Sequence, residues 1–226
     1  MITCLHYRAP IESRERVLLV MLPGVGIAAD DFAEHGLVAS LHGRELAVDV
    51  AAARPALDLY LDGTVAAELH RAVVAPAQAA GYARIWFLGI SLGGMGALLY
   101  ASANAAPVEG VMLLAPFLGT QGTVAEVAAA GGLAAWSPEG SAATDAEQRM
   151  LRWLKNFVTT PPMAPAIYLG YGRDDRFARG HTLLADRLPR DRIVTVAGGH
   201  DWETWATLWR ALLDVEPFAK HSHTCA

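Results

Sequence analysis

The chain has little cysteine, and this limits how the fold can be held together. Only two of the 226 residues are cysteines, Cys4 and Cys225, and they lie at opposite ends of the sequence. A pair so placed defines no disulfide framework, so we expect both thiols to be reduced. Nothing in the spacing of the cysteines suggests a zinc site, and we expect no bound metal.

Charge and long apolar runs are also scarce. Charged residues make up 18% of the chain, the formal net charge is -5, and no basic run is present. This excludes the electrostatic signature of a protein that binds nucleic acid or anionic lipid, and it favours a small neutral or apolar molecule as the substrate. The apolar runs have strand length, which is too short to span a membrane.

The beginning of the sequence lacks the features of a secretory signal. It has no basic start followed by a continuous apolar stretch, because charged residues such as Arg8 and Glu12 interrupt it early. We therefore expect the protein to reside in the cytoplasm. The sequence gives no indication of the oligomeric state.

Apolar strand-like segments alternate with helical patterns along the whole chain. This alternation predicts the α/β class, with a mainly parallel, doubly wound sheet in a single domain spanning residues 1–226. The predicted strands are Ile2 to Tyr7, Val17 to Leu22, Glu45 to Val50, Arg84 to Ile90, Val108 to Ala115, Ala166 to Tyr171 and Arg192 to Ala197. The predicted helices are Asp30 to Leu41, Leu61 to Ala80, Gly93 to Ala103, Phe177 to Leu188 and Trp202 to Val215. The tryptophans of the last helix are predicted to be core residues.

One segment, residues 117–165, departs from the alternation. Its second part carries a capping-box pattern, Thr144-x-x-Glu147, followed by apolar residues at helical spacing. We expect a short helical insert after the strand that ends near Ala115. It could cover the catalytic edge of the sheet as a lid, with Phe117, Trp136 and Trp153 contacting the substrate, or it could pack on the flank of the domain.

A possible nucleophile lies at the junction of the fourth strand and the next helix. The sequence there is Gly89-Ile90-Ser91-Leu92-Gly93, which has the G-x-S-x-G pattern of a nucleophile elbow. A serine in so sharp a turn needs small residues two positions before and after it. Ser91 is therefore the predicted nucleophile, although a glycine-rich turn whose serine only caps the helix would share the pattern.

A serine nucleophile needs a base and an acid that orients the base. His200 follows the last strand on a glycine-rich turn, where it can reach the elbow. Asp174 and Asp175 both follow the preceding strand, and we choose Asp175 because it lies further beyond the strand end. The predicted oxyanion donors are the backbone N–H groups of Leu92 and of Val25, with Gly24 as the alternative to Val25.

These motifs resemble the α/β-hydrolase superfamily, and the resemblance covers nearly the whole chain. The segments Gly89 to Leu98 and Gly198 to Trp202 are especially similar to the esterase D and putative-esterase branch. A departure is Leu22-Pro23-Gly24, where the family usually has His-Gly. The resemblance implies hydrolysis of an ester or thioester through an acyl-serine, without a metal or organic cofactor. Acyl transfer by the same residues and a noncatalytic binding protein on this fold are the alternatives.

Overall fold

A computed structural model of the protein describes residues 1–13, 15–104, 108–137, 145–156, 165–215 and 217–218. In this part of the chain, seven strands form one sheet in the order β1-β3-β2-β4-β5-β6-β7. Only β1 is antiparallel to its neighbour; the other pairings are parallel. The strands are β1 (Ile2–Tyr7), β2 (Val17–Leu22), β3 (Val48–Pro55), β4 (Arg84–Ile90), β5 (Val108–Leu114), β6 (Ala166–Gly172) and β7 (Ile193–Val196).

Helices cover both faces of the sheet, as the alternation predicted. In β2, which is buried along its whole length, Val17, Leu19 and Met21 belong to one apolar cluster, and the three residues that alternate with them, Leu18, Val20 and Leu22, belong to another. Because successive side chains of a strand point to opposite faces, these two clusters are the two layers between sheet and helices. The α/β class with a mainly parallel, doubly wound sheet is therefore confirmed.

The α-helices of the described residues include several short ones where longer helices were predicted. They are α1 (Asp31–Glu34), α2 (Leu37–His42), α3 (Asp58–Leu61), α4 (Val65–Leu69), α5 (Ala75–Ala79), α6 (Leu92–Ala103), α7 (Gln121–Ala129), α8 (Ala146–Asn156), α9 (Ala178–Ala185) and α10 (Trp202–Leu213). The predicted helix from Asp30 to Leu41 is broken at Gly36, which has φ 77°. The one from Leu61 to Ala80 contains a π-helical turn at His70–Val74 just before Pro76, whose ring nitrogen cannot donate the regular helical bond.

The third strand lies later in the chain than predicted. It spans Val48–Pro55 rather than Glu45 to Val50, because Glu45 has φ 55° in the turn after α2 and the Ala51 to Ala53 run continues the pairing with β1. Small alanine side chains give a weak strand signal, although all three are buried here. The other six strands agree with the prediction to within about one residue.

The insert contains α7 and α8 in the described residues. The buried face of α8, with Met150, Leu151 and Leu154, packs in the same cluster as α6. Thr144, half of the predicted capping box, lies outside the described residues. The carboxylate of Glu147 instead accepts hydrogen bonds from the Thr120 N–H and the Thr123 hydroxyl at the start of α7. None of the described helices is long and apolar enough to cross a membrane.

Candidate active site

Ser91 occupies a strained turn between β4 and α6. Its backbone has φ 53° and ψ -118°, a conformation that residues other than glycine rarely adopt. A Cβ at Gly89 would overlap the backbone of Gly93, and a Cβ at Gly93 would overlap the carbonyl oxygen of Leu22. The two glycines of the motif are therefore required by backbone packing around the serine, as an elbow demands.

His200 lies beside the serine on the loop between β7 and α10. Its Nε2 is 3.0 Å from Ser91 Oγ, and its Nδ1 is 2.8 Å from Asp175 Oδ2. The carboxylate can only accept, so Nδ1 carries a proton and donates it to Asp175. This tautomer leaves Nε2 free to accept the proton of the serine hydroxyl.

Asp175, and not Asp174, is the carboxylate that the fold directs at His200. Asp175 is 5% exposed, and it accepts hydrogen bonds from His200 and from the backbone N–H of Phe177 at 2.8 Å. Burial alone would raise the pKa of Asp175, but these hydrogen bonds hold its pKa below the usual value. Asp174 is exposed and accepts a 3.3 Å hydrogen bond from the N–H of Gly198, so it supports the loop that carries His200.

The two predicted oxyanion donors flank the nucleophile. Leu92 is the first residue of α6, and the first N–H groups of a helix have no partner within the helix. A Cβ built on Gly24 would lie 3.1 Å from the Cβ of Ser91, so the loop after β2 passes directly beside the serine. Gly24, Val25 and Leu92 all line the cavity that contains Ser91. The choice of Val25 over Gly24 stays a prediction.

The cavity above Ser91 has a volume of about 540 Å³ and mainly apolar walls. The rings of Phe177 and Trp205 meet the imidazole of His200 edge-on, with centroids 5.1 and 5.0 Å away. The residues that line this catalytic cavity are Gly24, Val25, Ile27, Leu57, Ser91, Leu92, Phe117, Arg176, Phe177, His200, Asp201, Trp202 and Trp205.

Sequence reasoning missed three of the aromatic residues in this cavity: Phe177, Trp202 and Trp205. The two tryptophans were assigned to the core alone, but they begin the helix that directly follows His200 and therefore also face the site. Trp205 is 5% exposed and serves as both core and cavity wall. Their nearness in sequence to His200 was the signal that could have identified them.

Of the three predicted substrate contacts, Phe117 alone lines this cavity in the described residues. Trp136 is 2% exposed, and its indole N–H donates to Glu126 at 2.8 Å inside the apolar cluster beneath α8. Trp153 lines a different cavity, which also includes Gly63 and Leu99. The correction has a simple cause: an amphipathic pattern shows which face of α8 is buried but not what covers it, and here α6 covers it. A role of the insert as a lid stays a prediction.

A buried histidine that the sequence analysis did not single out is connected to the site through the backbone at Pro116 and Phe117. His181, on α9, is fully buried, and its Nε2 donates to the carbonyl oxygen of Pro116 at 3.0 Å. The next residue, Phe117, donates its N–H to the backbone oxygen of Ser91 at 2.8 Å. Burial lowers the pKa of His181 to about 4, although the charge of Asp175 acts in the opposite direction.

The described residues contain no group of three His, Cys, Asp or Glu side chains placed to share a metal ion. The chemistry available to these residues is that of a serine, a histidine and a buried carboxylate in hydrogen-bonded sequence. Such a series can activate a hydroxyl as a nucleophile.

Comparison with known proteins gives matches in structure only. No family model matches the sequence, and no curated protein matches it. Among solved structures, S-formylglutathione hydrolase from Staphylococcus aureus is similar over 95% of this chain and 96% of its own, with 12% identity and a TM-score of 0.62. A monoacylglycerol lipase from Paleococcus ferrophilus is similar over 96% and 97% (18% identity, TM-score 0.63). Est1E from Butyrivibrio proteoclasticus is similar over 97% and 95% (14% identity, TM-score 0.66).

The chain has the α/β-hydrolase fold. Its Ser91, Asp175 and His200 follow β4, β6 and β7, which is the chain order Ser, Asp, His of α/β-hydrolase triads. At these identities the likeness concerns the fold, and the site has to be argued from its own geometry.

Proposed function

We propose that the protein is a serine hydrolase that cleaves a carboxylic ester or thioester through an acyl-serine intermediate. The observation that carries the proposal is the hydrogen-bonded series Ser91, His200, Asp175, with distances of 3.0 and 2.8 Å, at the floor of an open cavity. The names of the structural neighbours, a hydrolase and a lipase among them, support the same reaction class.

The reaction begins when Nε2 of His200 accepts the proton of Ser91 Oγ and the oxygen attacks the acyl carbon. The negative charge that develops on the acyl oxygen is stabilised by the N–H groups of Leu92 and Val25. The proton on Nε2 then passes to the leaving alkoxide or thiolate, and the acyl-serine remains. Asp175 stabilises the imidazolium that forms in this step through its hydrogen bond to Nδ1.

A water molecule completes the cycle. His200 takes a proton from the water as it attacks the acyl-serine, and returns that proton to Ser91 Oγ when the acid leaves. An ester or thioester is the expected bond because an alkoxide or thiolate leaves more readily than an amine. Because His200 and Ser91 act in both half-reactions, loss of either side chain stops acylation and deacylation alike.

Hydrolysis of 4-nitrophenyl butyrate tests this function. We expect Ser91→Ala to lower kcat by about four orders of magnitude or more, because the attacking oxygen is removed. Ser102→Ala is the matched control, since Ser102 lies in α6, the helix that follows Ser91, with its hydroxyl bonded to the carbonyl of Leu99, outside the catalytic cavity. Equal activity of the two variants would refute the proposal. Addition of a competing alcohol separates hydrolysis from acyl transfer through the products formed.

A further inference from the structure

A second cavity of about 330 Å³ adjoins the catalytic one. Arg176 and Phe177 line both cavities. The Phe117 ring meets Phe177 edge-on at 5.7 Å between centroids, so an aromatic pair stands where the two spaces meet. Leu118 and Val124 provide apolar walls on the far side. The two cavities are therefore neighbours that share the side chains of Arg176 and Phe177.

The charged side chains that line the second cavity are both arginines, in contrast to the acidic chain as a whole. Arg176 and Arg179 both line it, and its lining residues include no Asp or Glu. Within the described part of the chain, neither guanidinium forms an ion pair. The guanidinium of Arg176 lies over the ring of Phe177, 4.9 Å from its centroid, and this cation–π contact holds the charge at the boundary of the two cavities.

The carboxylates nearby are engaged elsewhere. Asp175 accepts from His200 and from the N–H of Phe177. Asp201, the acid that lines the catalytic cavity, accepts from the N–H of Thr204 at the start of α10. Glu147, close to Gly119 at the second cavity, accepts two hydrogen bonds at the start of α7. Among the described residues, none of these carboxylates forms an ion pair with Arg176 or Arg179, so both guanidinium groups can bind an anion brought by a ligand.

We propose that the preferred substrates are esters or thioesters with a carboxylate several bonds away from the reacting carbonyl, and that Arg176 binds this carboxylate. The inference rests on the proposed function and names its substrate class. It revises the expectation of a small neutral or apolar substrate, which came from the net charge and the absence of a basic run. Guanidinium groups bind carboxylates through two parallel hydrogen bonds, and the apolar walls match a hydrocarbon or aryl spacer. Arg179 adds a second positive charge at the same cavity.

Two matched ester pairs test the proposal and show which side of the ester carries the anion. The acyl pair is mono-4-nitrophenyl adipate and its methyl ester. The leaving-group pair is 4-carboxyphenyl butyrate and 4-carbamoylphenyl butyrate. The quantity of interest is the ratio of kcat/KM for the charged ester to that for the neutral one, which cancels differences in folding and in general activity between variants.

We expect Arg176→Gln to lower this ratio by about tenfold for at least one pair, mainly through KM, because a charge-assisted hydrogen bond is lost. Arg173→Gln removes the same charge from an exposed arginine of the same loop that lines neither cavity, and it should leave both ratios unchanged. Ratios in Arg176→Gln equal to those of the wild type for both pairs would overturn the proposal, as would equal losses in the two arginine variants.

A binding measurement separates failure of this proposal from failure of the proposed function. Calorimetric titration of Ser91→Ala with the two adipate esters requires no turnover. We expect tighter binding of the charged ester, and we expect the added Arg176→Gln change to remove the difference. If the wild type hydrolyses none of these esters but Ser91→Ala still binds the charged ester more tightly, the proposed function is refuted and the anion site is supported. Equal binding of the two esters to Ser91→Ala would refute the acyl-side site, and the same titration with the phenyl pair tests the other side.

Discussion

Replacement of His181 by glutamine should make the protein less sensitive to mild acid. The Nε2 of His181 donates to Pro116, and within the described part of the chain its buried Nδ1 has no hydrogen-bond partner. Protonation of Nδ1 would place a charge in the interior, and this is why burial lowers the pKa of His181 to about 4. Glutamine keeps an N–H donor in the same region but does not titrate.

The sign and size of the effect follow from proton linkage. In the unfolded chain this histidine has the ordinary pKa of 6.5, so between pH 6.5 and about pH 4 it takes up a proton that the folded protein does not. The free energy of unfolding therefore falls as the pH falls through this interval, by about 1.4 kcal/mol per pH unit and by about 3 kcal/mol in total. The variant should lack this contribution at every pH.

Urea unfolding of both proteins, followed by tryptophan fluorescence, measures the effect. The wild type should lose about 2 kcal/mol relative to His181→Gln between about pH 7.5 and about pH 5. Contributions from carboxylates occur in both proteins and cancel in the difference. A difference that stays constant across this range would refute the argument that the imidazole is buried and neutral in the folded protein.

Further substitutions test the site and its surroundings. Asp175→Asn should lower kcat by about 10⁴-fold because it favours the wrong imidazole tautomer, whereas Asp174→Asn should retain most activity; the reverse order in steady-state kinetics would move the acid by one residue. Gly93→Ala should cost about 3 kcal/mol or more because its Cβ overlaps the carbonyl at the end of β2, whereas Gly122→Ala, where the Cβ meets only an ordinary contact, should not lower the melting temperature. Trp153→Ala should lower the melting temperature but leave the acyl chain-length profile of kcat/KM parallel to that of the wild type, since Trp153 lines a separate cavity; a flattened profile would place it at the substrate.

The order of the chemistry-bearing residues was predictable because it depends on short-range signals. Ser91 and His200 each follow a strand-like run and lie among glycines, and parallel strands bring their carboxyl ends to one edge of the sheet. The choice of Asp175 rested on one residue of spacing, and it is the aspartate that the fold turns inward. The insert was harder to interpret, because the periodicity of α8 does not say which neighbour its apolar face will meet. Trp136, which was predicted to contact the substrate with the rest of the insert, lies in the core instead.

The second cavity could not have been inferred from the sequence at all. Arg176 and Arg179 appear there as two ordinary charges close to an aspartate pair, and the cavity that they share with Leu118 and Val124 depends on how α9 packs against α7. The support that His181 gives to the turn at Pro116 is also tertiary, since the two residues are 65 positions apart in sequence.

Labelling with a fluorophosphonate, followed by peptide mass spectrometry, is the most direct test that Ser91 is an activated nucleophile. A hydroxyl is activated when a histidine can accept its proton, and His200 Nε2 lies 3.0 Å from Ser91 Oγ, so we expect one adduct per chain, located on Ser91. The adduct should be absent in Ser91→Ala and present in Ser102→Ala. A folded wild-type protein that remains unlabelled, or an adduct on another residue with Ser91 unmodified, would contradict the account.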